Sequence, residues 1–398
     1  MILRRAALAG AALASLVQPL LAADLPPPPA APAAAPVLPS QGLAYQPQDK
    51  MERGLWMQMD ETERKLRTSS FVIRDKALND YVRGVFCRTV GDANCAGVRI
   101  YIVRTAAFNA NMAPNGMMQV WSGLFLRVRD EAQLAAVLGH EYTHYANRHS
   151  LQIFRQVEDS TAGAAFFGMF GLFGLPFMFG EVSSLFAFNR DMEREADAGS
   201  IGLMAKAGYD PMAASKIWEQ LRAEQDATAV ARNVASRKDK NGGMFATHPP
   251  TAERMATLKD LAAKQAVVGT PVTNRAAYMA ALAPFWAGFV DDQIKLNDFG
   301  GTDFLLTSLA AEGWTPQLYY ARGELLRSRG RPEDLTAAID AYRSATSGAG
   351  AVPEAWRGLG LALLRSGRQA EGQDALRQYM TARPDAADKP MMTMLAGG

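Results

Sequence analysis

The sequence predicts an α+β chain: a mostly helical domain with a small β-sheet, followed by an α-solenoid of helical repeats. Three observations carry this. Apolar residues recur at helical spacing in two early runs, Leu55, Met59, Leu66 and then Leu78, Tyr81, Val82, Val85. Between Val98 and Trp121 the pattern changes to short strand-like runs. From Tyr319 onward, small and aromatic residues return at a repeating spacing. A chain of 398 residues has room for two or three domains and a substantial core.

The chain opens on an address. Arg4-Arg5 form a positive start, Ala6 to Leu21 an apolar core, and Leu20-Leu21-Ala22-Ala23 offer small residues for cleavage, so residues 1–23 read as a signal peptide. Gln18-Pro19 interrupts a core already short for a membrane anchor. No Cys follows it, and Arg4-Arg5 lack the surroundings of a twin-arginine signal, so Sec export and a periplasmic location are expected. Residues 24–48, with Leu25-Pro26-Pro27-Pro28-Pro29, make an extended Pro/Ala-rich tether without core potential. Lys+Arg number 42 against 40 Asp+Glu, and 40 against 40 without Arg4 and Arg5. A near-neutral chain without basic runs gives no reason to expect nucleic acid.

Cys87 and Cys95 lie eight apart, with Gly91-Asp92-Ala93-Asn94 able to turn the chain between them. In an oxidising compartment they would close one small disulfide loop; two unpaired thiols near a core helix are the alternative. Val98 to Val103 and Gly116 to Trp121 are the two strand candidates. Pro114-Asn115-Gly116 is a strong turn signal, so a hairpin or meander is expected, with an edge able to receive an extended peptide.

Helix resumes at Asp130 and runs into Gly139-His140-Glu141-Tyr142-Thr143-His144, the H-E-x-x-H signature of zinc peptidases. Residues four apart share a helix face, so His140 and His144 can grip one ion, with Glu141 beside them to take a proton from water. A third protein ligand is needed. His149 lies nine residues beyond His140, on the opposite face unless the helix ends first, and is expected to be structural or to support a ligand. The metzincin pattern would want Gly at 147 and His at 150, where the chain has Asn147 and Ser150, so that class is excluded. The better source is Arg190 to Asp197. There Glu193 and Asp197 share a face, and Glu195 turns about 200° away from Glu193. That face offers one carboxylate for a metal and one to hold a ligand histidine by its other nitrogen. A solvated acidic helix start would look the same by itself.

Together, H-E-x-x-H, the E-x-E-A-D of Glu193 to Asp197 about 50 residues on, and Ala207-Gly208-Tyr209-Asp210-Pro211 resemble the gluzincin metallopeptidase family of the CAAX prenyl protease, HtpX and BepA. In layout the chain is most similar to the BepA-like periplasmic members that end in tetratricopeptide repeats. The resemblance covers roughly residues 49–265 and implies a zinc metallopeptidase domain, here bounded at 49–268. It implies one Zn2+ per chain held by His140, His144 and Glu193, with Asp197 behind a ligand. It also matches Asn109-Ala110 to a substrate-binding strand over the cleft, and Thr247-His248-Pro249 with Arg254 to a downstream motif. Glu141 would be general base and then proton donor to the leaving amine. Two roles stay open for His248: stabilising the oxyanion, or occupying the open metal position as a latch.

Thr161 to Gly180 has no charge, six Phe and five Gly. It is long enough to span a bilayer, but His144 before it and Glu193 after it must reach one ion, which a single span forbids. The segment either packs near the site or presents an apolar surface to membrane or unfolded protein. Further on, Trp356, Gly360, Leu363, Gly367, Leu376 and Pro384 fall at tetratricopeptide spacings, and Tyr319, Gly323, Leu326, Gly330, Ala338, Tyr342 and Ala345 repeat them. A helical repeat domain is expected over 275–390, with Ala276 to Ala310 either extending the array or docking it on the catalytic domain. Such repeats bind proteins. The function expected is therefore an exported zinc endopeptidase acting on misfolded or stalled envelope proteins; the alternative is an assembly factor or chaperone for outer-membrane proteins with a mostly latent metal site. The repeats would supply contact with outer-membrane assembly machinery.

Overall fold

The computed structural model describes residues 45–157, 190–236, 252–347 and 350–398. The signal-peptide stretch, most of the tether, Thr161 to Gly180 and His248 lie outside the described residues. Among the described residues the chain is mostly helical around one small mixed sheet.

Helix α1 (Lys50–Thr68) starts where the Asp49 side chain accepts the Glu52 amide, and its buried stripe is Leu55, Met59 and Leu66. Helix α2 (Lys76–Val90) is capped in the same way by Asp75 and stops at Gly91, whose φ of 86° suits a residue without Cβ. The reversal carries the chain into α3 (Asp92–Cys95), and Cys87 and Cys95 are disulfide-bonded across it, as the spacing predicts.

The sheet differs from the expected pairing. Strands β1 (Arg99–Val103) and β3 (Met117–Trp121) are parallel neighbours, and β2 (Ala110–Met112) pairs antiparallel with β3 at the edge, giving the order β1-β3-β2. The Pro114-Asn115-Gly116 turn is real. It joins β2 to β3, with Gly116 at φ 87° and Ala113 and Met117 hydrogen-bonded across it. A three-residue strand is too short to announce itself by alternation, so the sequence showed the turn but not both strands it joins.

One face of the sheet packs on α1 through Val103, Met117 and Trp121. The other meets α5 (Glu131–Ala146), whose residues from Glu131 through His144 are all buried. That helix follows α4 (Ser122–Arg127), is capped by Asp130 on the Gln133 amide at 2.8 Å, and leads into α6 (His149–Val157). Helices α7 (Arg190–Lys206), α8 (Ala213–Ala231) and α9 (Ala252–Lys264) complete the surroundings of the site. Small residues let α5 and α7 touch: the Ser200 hydroxyl donates to the Ala136 carbonyl at 2.7 Å, and Gly199 faces Thr143.

Helices α10 (Arg275–Leu282), α11 (Trp286–Ile294) and α12 (Phe299–Leu309) dock on this body. Tyr278, Phe289, Leu305 and Leu306 join the same core cluster as Leu134 and Leu138 of α5. Buried Arg127 donates to Glu224 at 2.6 Å and to Gln293 of α11 at 3.0 Å, tying the two together. Of the two expectations for Ala276 to Ala310, docking is the one observed. Beyond it, α13 (Pro316–Arg329) packs with α14 (Asp334–Ala345), α15 (Pro353–Arg365) packs with α16 (Gln369–Ala382), and α17 (Lys389–Leu395) follows. The Tyr342 ring lies against Gly323 and Gly358, and Leu376 lies against Gly360, where any Cβ would collide, so the repeat glycines Gly323 and Gly360 read in the sequence are packing requirements.

Candidate metal centre

The geometry of α5 puts His140 and His144 one turn apart on one face, with their Nε2 atoms 3.1 Å apart. The close approach of α7 brings Glu193 across from them. Its Oε1 is 3.2 Å from His144 Nε2, and its Oε2 is 3.6 Å from His140 Nε2. All three residues are buried, and they form a cluster that could hold a metal ion.

Each ligand-type histidine is held from behind. His140 Nδ1 is 3.0 Å from Asp197 Oδ1. Arg254 of α9 then grips Asp197 with two parallel bonds, Nε to Oδ2 at 2.8 Å and Nη2 to Oδ1 at 2.7 Å, and its Nη1 is 3.0 Å from Glu193 Oε2. Burial alone would raise the Asp197 carboxyl. The charge of Arg254, with hydrogen bonds from His140 and Arg254, holds it below the usual carboxylate range. Burial likewise works against the Arg254 charge, but Asp197 and Glu193 outweigh it and keep the guanidinium protonated. That guanidinium lies 3.9 Å over the Trp218 ring. Trp218 escapes a reading of the sequence: an aromatic on an apolar helix face carries no signal of a role beside a metal.

His149 is close to the centre after all. Helix α5 ends at Ala146, Arg148 takes a left-handed φ of 58°, and α6 restarts at His149. The reversal cancels the helical phase that would have turned it away. Its Nδ1 is 2.9 Å from His144 Nδ1, and its Nε2 is 3.2 Å from Glu195 Oε2. Burial pushes its imidazole below the ordinary value, against the pull of Glu195.

Asn109, Ala110, His140, Glu141, Asp197 and Trp218 line one pocket. The edge strand β2 forms its rim; the Asn109 carbonyl accepts from the Trp121 amide at 3.0 Å, which ties that rim to β3. The Glu141 carboxylate, one histidine of the metal-type cluster and a strand edge therefore share one cleft.

Peptidase family M48 is matched over residues 76–262, the stretch that contains every one of these side chains. The chain carries a peptidase family M48 domain. The relatives agree. A beta-barrel assembly-enhancing protease of Escherichia coli is 27% identical over 229 residues, 52% of this chain and 44% of that protein. Its counterpart from Yersinia pestis is 26% identical over 215 residues, 50% of this chain and 42% of that protein. The mitochondrial metalloendopeptidase OMA1 of Schizosaccharomyces pombe is 29% identical over 189 residues, 45% of this chain and 52% of that protein. The chain thus spans about half the length of these curated relatives. No helix among the described residues is long and apolar enough to cross a membrane.

Proposed function

We propose that this chain is an exported, zinc-dependent endopeptidase that hydrolyses peptide bonds of misfolded or stalled envelope proteins. The observation that carries the reading is that His140 belongs both to the cluster with His144 and Glu193 and, with Glu141, Asn109 and Ala110, to the lining of one pocket. The residues fit zinc. Tetrahedral zinc with bonds of about 2.0–2.1 Å holds its ligand atoms about 3.3 Å apart. The two histidine Nε2 atoms are 3.1 Å apart, and they lie 3.2 Å (His144) and 3.6 Å (His140) from the two different oxygens of Glu193, all close to that value.

Zinc bound by these three residues would polarise the scissile carbonyl and acidify a water molecule. The remaining work belongs to the chain. At Asn109 and Ala110 the edge of the sheet would receive an extended substrate, with the Asn109 carbonyl held by the Trp121 amide, and this sets the peptide in register beside Glu141. Glu141 accepts the proton of the attacking water and returns it to the departing amine, so that the C–N bond breaks and an amine leaves. Asp197, fixed by Arg254, orients His140. His248 supplies oxyanion stabilisation or a reversible latch.

Export to the periplasm is supported by the Arg4-Arg5 and apolar opening of the sequence, and envelope clients by the names of the bacterial relatives. A domain layout of 49–268 for the peptidase and 275–390 for tetratricopeptide repeats is supported by the helix pairs and the glycines under Tyr342. The same repeats favour a second reading, an assembly factor or chaperone for outer-membrane proteins with a mostly latent metal site. Glu141→Gln separates the two. It should abolish degradation of an unfolded client protein while zinc stays bound; equal degradation by mutant and wild type would reject the peptidase.

A further inference from the structure

We infer that His149 and Glu195 form a positioning relay for the ligand histidine His144, distinct from the Asp197–Arg254 pair behind His140. The inference rests on the metal reading above. The two Nδ1 atoms of His144 and His149, 2.9 Å apart, can share only one proton. If His144 gives its Nε2 lone pair to a metal, its proton stays on Nδ1 and it must donate. His149 Nδ1 is then the acceptor, and a neutral His149 carries its own proton on Nε2. That atom is 3.2 Å from Glu195 Oε2, so the carboxylate accepts it. Glu195 is itself held by the Asn147 side-chain amide at 3.3 Å. The direction of donation is therefore fixed along the whole chain, from His144 to His149 to Glu195.

The location supports a role in positioning. His149 is 1% exposed, although it opens a helix next to an exposed Arg148, and its ring packs edge-on against His144 with centroids 5.0 Å apart. Glu195 is the member of the acidic helix start that helical phase turns away from the ions, and the relay gives it a partner on that side. The two ligands are also backed differently. A carboxylate paired with Arg254 stands directly behind His140, whereas an imidazole stands directly behind His144, with the Glu195 carboxylate one step further out. A second anion against the ligands would blunt the electrophilicity of a bound metal.

The test compares His149→Leu, which removes the acceptor, with His149→Asn, whose side-chain oxygen can replace Nδ1. Zinc-loaded protein is mixed with a chromophoric chelator and zinc release is timed; melting of the metal-free forms controls for packing. His149→Leu should release zinc about 10–100-fold faster than wild type, and His149→Asn within about threefold of it, with metal-free melting similar in both variants. Wild-type release rates in His149→Leu, or equally fast release from both variants, would overturn the relay. Wild-type protein that takes up no zinc would overturn the metal reading and the relay together, whereas a zinc-loaded wild type with an unaffected His149→Leu rejects the relay alone.

Discussion

Adding a single methyl group at Gly199 should dismantle the metal centre without touching a ligand. A Cβ there would lie 2.5 Å from Thr143 Cγ2, 2.6 Å from Thr143 Oγ1 and 3.1 Å from Thr143 Cβ. Both γ atoms flank the same point, so turning the threonine to another staggered rotamer relieves at most one contact. Ordinary contact begins at 3.4 Å, so α5 and α7 must part by about 0.9 Å. The histidines ride on α5 and Glu193 on α7, and metal–ligand distances tolerate only about 0.2 Å. Gly199→Ala should therefore weaken zinc binding at least tenfold and lower stability by about 1–3 kcal/mol. Gly202→Ala is the control, since a Cβ on that residue of the same helix meets nothing within 4 Å. Thr143→Ala in the Gly199→Ala background removes both γ atoms and should restore much of the affinity. The assay is a competitive zinc titration of the three variants and wild type. Equal affinity for Gly199→Ala and Gly202→Ala would refute the argument that helix spacing sets the ligand geometry.

Four further outcomes are expected. Arg254→Leu leaves the Asp197 carboxylate buried without its guanidinium and should cost about 3–5 kcal/mol, measured by urea unfolding of metal-free protein; a loss below 1 kcal/mol would contradict it. Burial raises the Glu131 carboxyl, but hydrogen bonds from Asn274, Tyr209 and Tyr81 and the charge of Arg88 hold it below its ordinary value. Its contribution is complete above the unfolded value of about 4.3 and lost as pH falls through the lowered folded one, so Glu131→Gln should cost about 2–4 kcal/mol at pH 7 and progressively less in acid. A cost independent of pH would exclude the charge as its source. Replacing Cys87 and Cys95 by Ala opens a short loop and should lower stability by about 2.5 kcal/mol, seen by comparing melting of the mutant with the oxidised wild type. Gly323→Ala drives a Cβ to 2.6 Å from the Tyr342 ring and should cost about 1–3 kcal/mol in thermal unfolding; an unchanged melting curve would mean that the ring shifts freely.

What could be read from the sequence was set by how local the physics is. His140, Glu141 and His144 need only helical periodicity, and the pairing of Glu193 with Asp197 on one face needs no more. The start of α5 at Asp130 is equally local, because that side chain caps the first turn, as Asp49 and Asp75 do for α1 and α2 in the structure. Docking of α10 to α12 was legible only as an option, because apolar helices look the same whether they extend an array or bury against a sheet-bearing domain. His149 shows the limit most clearly. Its helical phase held only for an unbroken helix; the helix ends first, at Ala146, and the left-handed Arg148 turns His149 back against His144, where it can support a ligand. Asn147-Arg148 is not a strong stop signal, and the turn is stabilised by contacts that His149 makes with His144 and Glu195, far away in sequence in the second case.

The same distinction bears on the precision of the site. A helix motif fixes two ligands relative to each other, but the third arrives from another helix, and its position is a matter of interhelical distance. That distance is set where Gly139 faces Ser200 and Gly199 faces Thr143, residues that never meet the ion. Thr143 stands inside the H-E-x-x-H motif at a position with no chemical duty, so its bulk is tolerated only because its opposite number on α7 has no side chain. A motif can therefore be intact in sequence while its third ligand is out of reach, and in this chain the residue that decides between the two is a glycine six positions beyond Glu193.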